Sequence, residues 1–86
     1  MNESAGSIKV RIVYCASCGY EGPALDLARD LLLTFRYNLA AIELIPWQDG
    51  TFDVAVGPLL VHSMLRDGGF PVSATIIAAV RAQLGG

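Results

Sequence analysis

Basic residues are scarce in this sequence. Lysine and arginine account for six of the 86 residues, against eight aspartates and glutamates, and the formal net charge is −2 at pH 7. A protein that binds nucleic acid needs a row of cationic side chains to neutralise the phosphates and release their counterions. We therefore expect no nucleic-acid partner.

Long apolar runs are also missing, although 53% of the residues are hydrophobic. A membrane-spanning helix needs about 20 consecutive apolar residues, and no run in the sequence reaches that length. The polar start, MNESAGS, lacks the cationic flank and apolar region of a secretory signal. We expect no membrane association and a cytoplasmic location.

Groups for hydrolysis or metal binding are few. The sequence has one histidine, His62, and two cysteines, and it shows no paired carboxylates or serine–histidine–acid arrangement that would indicate a hydrolase. A structural zinc site normally takes four protein ligands, so we expect no metal within one chain, although two chains could share a site. His62 is interpreted as an exposed or hydrogen-bonded strand residue.

What the sequence does contain is a pair of cysteines three residues apart, in the segment VYCASCGY. Cys15 and Cys18 follow an alternating segment, 8–14, which predicts a strand with one wet face, and precede a helix predicted over 23–36. The N–H groups and partial positive charge of a helix N-terminus stabilise a nearby thiolate. A second sulfur at this spacing can resolve a mixed disulfide formed by the first. The pair therefore favours redox chemistry over an inert or metal-binding role, because a bare structural disulfide does not persist in a reducing cytoplasm.

The rest of the chain predicts further strands over about 40–46, 52–56 and 59–63, and a last helix for which Ser73 is a favourable N-cap. The expected buried positions are Leu25, Ala28, Leu31, Leu32 and Phe35 in the first helix and Ile76, Ile77, Val80 and Leu84 in the last. Two helices that need the same dry face of one sheet predict a two-layer α/β sandwich with a right-handed first crossover. Taken locally, the turn WQDG also allows a hairpin between the second and third strands.

Three segments resemble the selenoprotein W-like family, the SelT/SelW/SelH or Rdx group: VRIVYCASCGYEGPALDLARDLL, then FDVAVGPLLVHS, and GGFP before the final helix. The resemblance covers about Val10 to Leu84. It implies a thioredoxin-like β-α-β-β-β-α fold with a four-stranded mixed sheet in the order 2-1-3-4 and both helices on one face. Residues 1–7 are then expected to form a disordered N-terminal tail and residues 8–86 a single thioredoxin-like redox domain.

The resemblance also implies an order of attack for the two cysteines. In this family the motif is C-x-x-C or C-x-x-selenocysteine, and the position of Cys18 carries selenium when it is present. This implies Cys18 as the reactive sulfur and Cys15 as its partner. The residues alone leave the order open, because both sulfurs lie near the predicted helix start.

Two functions are expected from these features. The first is a small thiol–disulfide redox protein, linked to glutathione or thioredoxin and needing no bound cofactor. The second is a redox-regulated protein-binding module without turnover. In both, the expected partner is glutathione or a protein that carries a thiol or a disulfide.

Three aromatic residues are candidates for contacting that partner. Tyr20 flanks the cysteines, and Trp47 and Phe70 are predicted in loops on either side of the sheet. There they either form an apolar contact surface or cap the edges of the core.

Overall fold

Within residues 7–85, which the computed structural model describes, four strands form one mixed sheet. The strands are β1 (Ile8–Cys15), β2 (Leu39–Trp47), β3 (Phe52–Val56) and β4 (Leu59–Ser63), in the order β2-β1-β3-β4. The central strand β1 is parallel to β2 and antiparallel to β3, and β3 is antiparallel to β4. The expected 2-1-3-4 order is confirmed. A hairpin between β2 and β3 is wrong, since β1 lies between them.

The N-terminal tail predicted over residues 1–7 lies outside the described residues except for Ser7, as does the last residue of the domain predicted over 8–86. The helices are α1 (Glu21–Phe35), a single turn α2 (Met64–Asp67) and α3 (Ser73–Gln83), and a 3-10 turn, Arg36–Asn38, follows α1. The helix α2 was not predicted, because four residues are too short to show helical periodicity. No helix in the described part of the chain has the length and apolar character to cross a membrane.

The helices α1 and α3 cover one face of the sheet, as expected for a two-layer sandwich. Alternate residues of β1, Ile8, Val10 and Ile12, are buried in one apolar cluster with Val54 and Val56 of the neighbouring β3. The helices contribute Ala24, Leu27, Ala28, Leu31 and Phe35 from α1 and Ile76 and Val80 from α3. Because all these side chains belong to the same cluster, both helices pack on the same side of β1.

Part of the predicted buried face of α1 is wrong. Leu25 and Leu32 are 57% and 49% exposed, and Ala24 and Leu27 are buried in their place. The helix carries three consecutive leucines at 31–33, so its apolar residues surround much of the axis and both faces satisfy the helical period. Packing against the sheet decides which of these two faces is buried.

The predicted stripe of α3 and its predicted N-cap also change. Leu84 is 37% exposed and lies just beyond the helix. Ser73 is the first helical residue rather than the N-cap, and its hydroxyl donates to Asp30 Oδ2 of α1 at 2.8 Å. That bond ties the two helices together at the start of α3.

The opposite face of the sheet is polar around β1. Lys9 and Arg11 point away from the helices and pair with Glu43 of β2, with Nζ–Oε2 and Nε–Oε1 distances of 3.4 and 3.1 Å. The hydrogen bond from Arg11 is the main cause that lowers the pKa of Glu43 from its ordinary value. The pairing follows from the parallel register, in which Arg11 stands opposite Glu43.

Candidate functional site

The two cysteines lie where the central strand ends and the chain turns into α1. Cys15 is the last residue of β1, and its N–H donates to Thr51 O at 2.7 Å, just ahead of β3. The next N–H, of Ala16, donates to Trp47 O at the end of β2 at 2.9 Å. The start of the cysteine loop is therefore held by backbone from both sides of β1.

Glycine provides the turn from this loop into the helix. Gly19 has a φ of 77°, a conformation that L side chains rarely adopt, and its N–H donates to Ala16 O at 3.1 Å. Two residues later the helix begins at Glu21. Cys18 thus stands three positions before the first residue of α1, in the region where the helix N-terminus favours negative charge.

Cys15 and Cys18 form a disulfide, with their Cα atoms 5.3 Å apart. This separation falls within the usual range for a disulfide. The two ends of the bond differ in environment, because Cys15 is fully buried and Cys18 is exposed. A reactant arriving from solution therefore meets the Cys18 sulfur first.

Ser17, inside the motif, contacts the buried sulfur. Its Oγ lies 3.3 Å from Cys15 Sγ. A disulfide sulfur carries no hydrogen, so the hydroxyl is the donor in this contact. Ser17 was not singled out from the sequence. The signal that could have found it is its place between the two cysteines, where a hydroxyl is within reach of either sulfur.

Two of the three predicted aromatic residues meet on the β3 side of the loop. The rings of Tyr20 and Phe70 have centroids 4.9 Å apart, and Phe70 also packs edge-to-face on the buried Phe52 at 5.1 Å. Phe70 is nevertheless 45% exposed, so it covers the edge of the core and still presents a face to solvent.

The third aromatic residue, Trp47, lies on the other side of the loop. It is the last residue of β2, not part of a loop as predicted, because the strand continues in register with β1 as far as the pair Cys15–Trp47. Its side chain is 57% exposed. Together, Tyr20 and Phe70 on one flank and Trp47 on the other border the cysteine loop.

A family model described as the Rdx family matches residues 9–82. The chain belongs to the Rdx family. It is 31% identical over 84 residues to Migration and invasion enhancer 1 of Bos taurus, covering 98% of this chain and 71% of that protein. It is also 31% identical over 83 residues to selenoprotein W of Macaca mulatta, covering 91% of this chain and 95% of that protein. The crystal structure of a selenoprotein W-related protein from Vibrio cholerae matches with a TM-score of 0.85 at 25% identity, over 90% of this chain and 96% of that one.

Membership of the Rdx family confirms the selenoprotein W-like resemblance found in the sequence. The match to the Vibrio cholerae structure, together with the strand order, confirms the thioredoxin-like fold. Rdx is a thioredoxin-like redox family, and the Cys15–Cys18 disulfide of this chain fits its C-x-x-C motif. Within residues 7–85, no group of three or more histidine, cysteine, aspartate or glutamate side chains could hold a metal ion.

In this Rdx chain, His62 and α2 position the loop that carries Phe70. The His62 side chain is 12% exposed, and its Nε2 lies 2.9 Å from Gly69 O. His62 is therefore a hydrogen-bonded strand residue. Just before the loop, at the end of α2, the Asp67 carboxylate accepts the Ser63 N–H at 3.0 Å and two bonds from Arg66 at 2.8 Å each.

The hydrogen bonds to Asp67 predict that the stability of this loop depends on acid. The hydrogen bonds from Arg66, and next the Ser63 N–H, lower the pKa of Asp67 from 3.8 to about 2. A lowered carboxyl pKa contributes stability that is present above the unfolded-state pKa and is lost as the pH falls towards the folded-state value. We expect Asp67→Asn to lower the unfolding midpoint at neutral pH and to reduce the loss of stability on acidification below pH 3.8. Thermal unfolding followed against pH measures both, and parallel pH curves for the two proteins would contradict the role.

Proposed function

We propose that this Rdx protein is a small thiol–disulfide redox protein that exchanges its Cys15–Cys18 disulfide with glutathione or with a protein thiol or disulfide. The observation that carries the proposal is the difference in exposure between the two ends of one disulfide. Cys18 is accessible from solution, whereas Cys15 is fully buried. Such a pair has one sulfur that can meet a partner and one that can act only within the chain.

In the oxidised protein, a partner thiolate attacks Cys18 Sγ. The bond between Cys15 and Cys18 breaks, a mixed disulfide forms between the partner and Cys18, and Cys15 leaves with the electron pair as a thiolate. A second partner thiolate then attacks the partner sulfur of the mixed disulfide, which releases Cys18. The protein gains two electrons and the partner thiols become a disulfide.

In the reduced protein the same groups work in the opposite direction. The Cys18 thiolate attacks a partner disulfide and forms a mixed disulfide, and one partner sulfur leaves as a thiolate. Cys15 then attacks Cys18 Sγ, which restores the internal disulfide and releases the second partner sulfur. The family resemblance implies this order of attack, and the exposure of Cys18 supports it. In this direction Cys15 and Cys18 supply the two electrons, and external thiols then reduce the internal disulfide again, so the cycle uses no bound cofactor.

The partner is proposed to contact the apolar border of the cysteine loop. Tyr20 and Phe70 form one side of that border and Trp47 the other, and the exposed faces of Phe70 and Trp47 are available for contact. Aromatic side chains lose little conformational entropy on binding and bury a large area. We also propose a cytoplasmic location, where glutathione and thioredoxin supply the thiols that the exchange consumes.

The reduction potential of the pair and its turnover test this function together. The protein is equilibrated in glutathione buffers of graded ratio, and its free thiols are counted with a mass-adding alkylating reagent. We expect a reversible transition of both thiols between about −180 and −300 mV, and steady reduction of a small disulfide in the presence of excess glutathione. Thiols that never pair would overturn the proposal.

A redox-regulated binding module is the second candidate function. It is favoured by the apolar faces that Phe70 and Trp47 expose beside the disulfide, at 45% and 57% exposure. A reversible thiol transition without steady turnover would support this candidate over the enzyme. Under it, a partner should bind one redox form more tightly than the other, and Phe70→Ala should weaken binding without moving the potential of the pair.

A further inference from the structure

The buried sulfur of the disulfide has to accept negative charge each time the bond is cleaved at Cys18. Cys15 is fully buried, so its thiolate lacks the hydration that stabilises a thiolate in water. The rate of exchange depends on how well the leaving thiolate is stabilised. A donor aimed at Cys15 Sγ therefore affects both the rate of cleavage and the equilibrium.

Most backbone N–H groups of the loop are already bonded elsewhere. The N–H groups of Cys15, Ala16, Cys18, Gly19 and Tyr20 each donate to a carbonyl oxygen. Two of these bonds, from Cys18 and Tyr20, end on the carbonyl oxygen of Cys15 itself, at 3.3 and 3.1 Å. Among the described side chains, the hydroxyl of Ser17 is the group that hydrogen-bonds to Cys15 Sγ, at 3.3 Å.

We propose that the Ser17 hydroxyl is a catalytic group that stabilises the Cys15 thiolate when the disulfide is cleaved at Cys18. A partner thiolate forms a bond to Cys18 Sγ, the bond between the two cysteine sulfurs breaks, and Cys15 keeps the electron pair. Ser17 retains its proton and donates the hydrogen bond throughout. The bond strengthens as the charge on sulfur develops, because a hydrogen bond to an ionised acceptor is about twice as strong as one between neutral groups. An interaction that grows along the reaction lowers the barrier.

The expected effect of removing the hydroxyl has a fixed sign. Ser17 stabilises the reduced, anionic state more than the disulfide, so Ser17→Ala is expected to make the reduction potential more negative. We expect the equilibrium constant with glutathione to change by about threefold to tenfold, where tenfold corresponds to about 30 mV. Cleavage of the disulfide by dithiothreitol is expected to slow by about twofold to fivefold, since a poorer leaving group departs more slowly.

Two variants of nearly the same shape distinguish the effect of the hydroxyl from the effect of side-chain volume. Ser17→Thr keeps a hydroxyl, and Ser17→Val replaces it with a methyl group of nearly the same size. We expect Ser17→Thr to match the wild type, and Ser17→Val to match Ser17→Ala, in both reduction potential and cleavage rate. The difference in reduction potential between Ser17→Thr and Ser17→Val is expected to be larger at about pH 9.5 than at about pH 6, because a hydroxyl bonds more strongly to a thiolate than to a thiol. A merely structural role of Ser17 would not produce that pH dependence.

Because this role rests on the proposed thiol–disulfide exchange, the wild type is measured in the same glutathione series. A wild type whose thiols do not pair reversibly would overturn the exchange and the role of Ser17 with it. A wild type that exchanges normally, with Ala, Thr and Val variants all at its potential and rate, would overturn the role of Ser17 alone. Thr and Val variants that are shifted equally would also overturn it, since packing would then explain the effect.

Discussion

Cys18→Ser is expected to abolish thiol–disulfide exchange, whereas Cys15→Ser is expected to trap the partner. The reason is the unequal exposure of the two sulfurs. Without Cys18, the remaining thiol is fully buried and no partner disulfide can reach it. Without Cys15, the exposed Cys18 still attacks a partner disulfide, but no internal sulfur releases the adduct.

Intact-mass measurement after incubation with oxidised glutathione distinguishes the two variants. Cys15→Ser should gain one glutathione per chain, and Cys18→Ser should stay unmodified at the level of a sample incubated with reduced glutathione. Steady-state reduction of a small disulfide should fall to the buffer background in Cys18→Ser, whereas Cys15→Ser should keep only the slower turnover in which external glutathione attacks its Cys18 adduct. The variants serve as controls for each other, because each removes one sulfur of the same bond. Glutathionylation of Cys18→Ser with an unmodified Cys15→Ser would reverse the order of attack.

The C-x-x-C pair and its place before a helix could be predicted from the sequence, but the unequal exposure of the two cysteines could not be derived from the pattern. Spacing and position before a helix identify the C-x-x-C pair. The burial of Cys15 depends on backbone that lies far along the chain, since its N–H bonds to Thr51 and the following one to Trp47. Such contacts between distant residues leave no mark on the eight residues around the motif.

The contact between the aromatic residues that border the cysteine loop could not be derived from the sequence pattern either. Tyr20 and Phe70 were each identified as candidates, yet their contact joins residues fifty positions apart through the short helix α2, which has no periodic signal. The sheet order is a similar case. The turn at WQDG is compatible with a hairpin, and the parallel pairing of β2 with β1 was expected only through the family resemblance.

Helix α1 shows what local periodicity can and cannot decide. The period predicts an amphipathic helix, and the helix is present at Glu21–Phe35. The face of α1 predicted to pack on the sheet was only partly right, because Leu25 and Leu32 are exposed to solvent. Three consecutive leucines, 31–33, place apolar side chains on several faces of the helix. Only packing against the strands therefore decides which of the three is buried.

Substitution of the buried leucine of that run, Leu31, is expected to have the largest effect on the free energy of unfolding. Leu31 is fully buried and Leu33 is 59% exposed, two residues away in the same helix. Leu31→Ala is expected to lower the free energy of unfolding by about 2–5 kcal/mol, because it removes buried methyl groups and leaves a cavity. Leu33→Ala makes the same chemical change in the same helix at an exposed position, so its effect should stay within about 0.5 kcal/mol.

Urea unfolding of both variants, with the disulfide in the same redox state throughout, measures this difference. A domain of this size is stable by only about 5–15 kcal/mol, so Leu31→Ala should shift the midpoint strongly while the slope stays unchanged. Leu33→Ala is the matched control for the loss of a leucine side chain from the helix. Equal losses in the two variants would mean that Leu31 is not the buried leucine of this run and that α1 packs on the sheet with a different face.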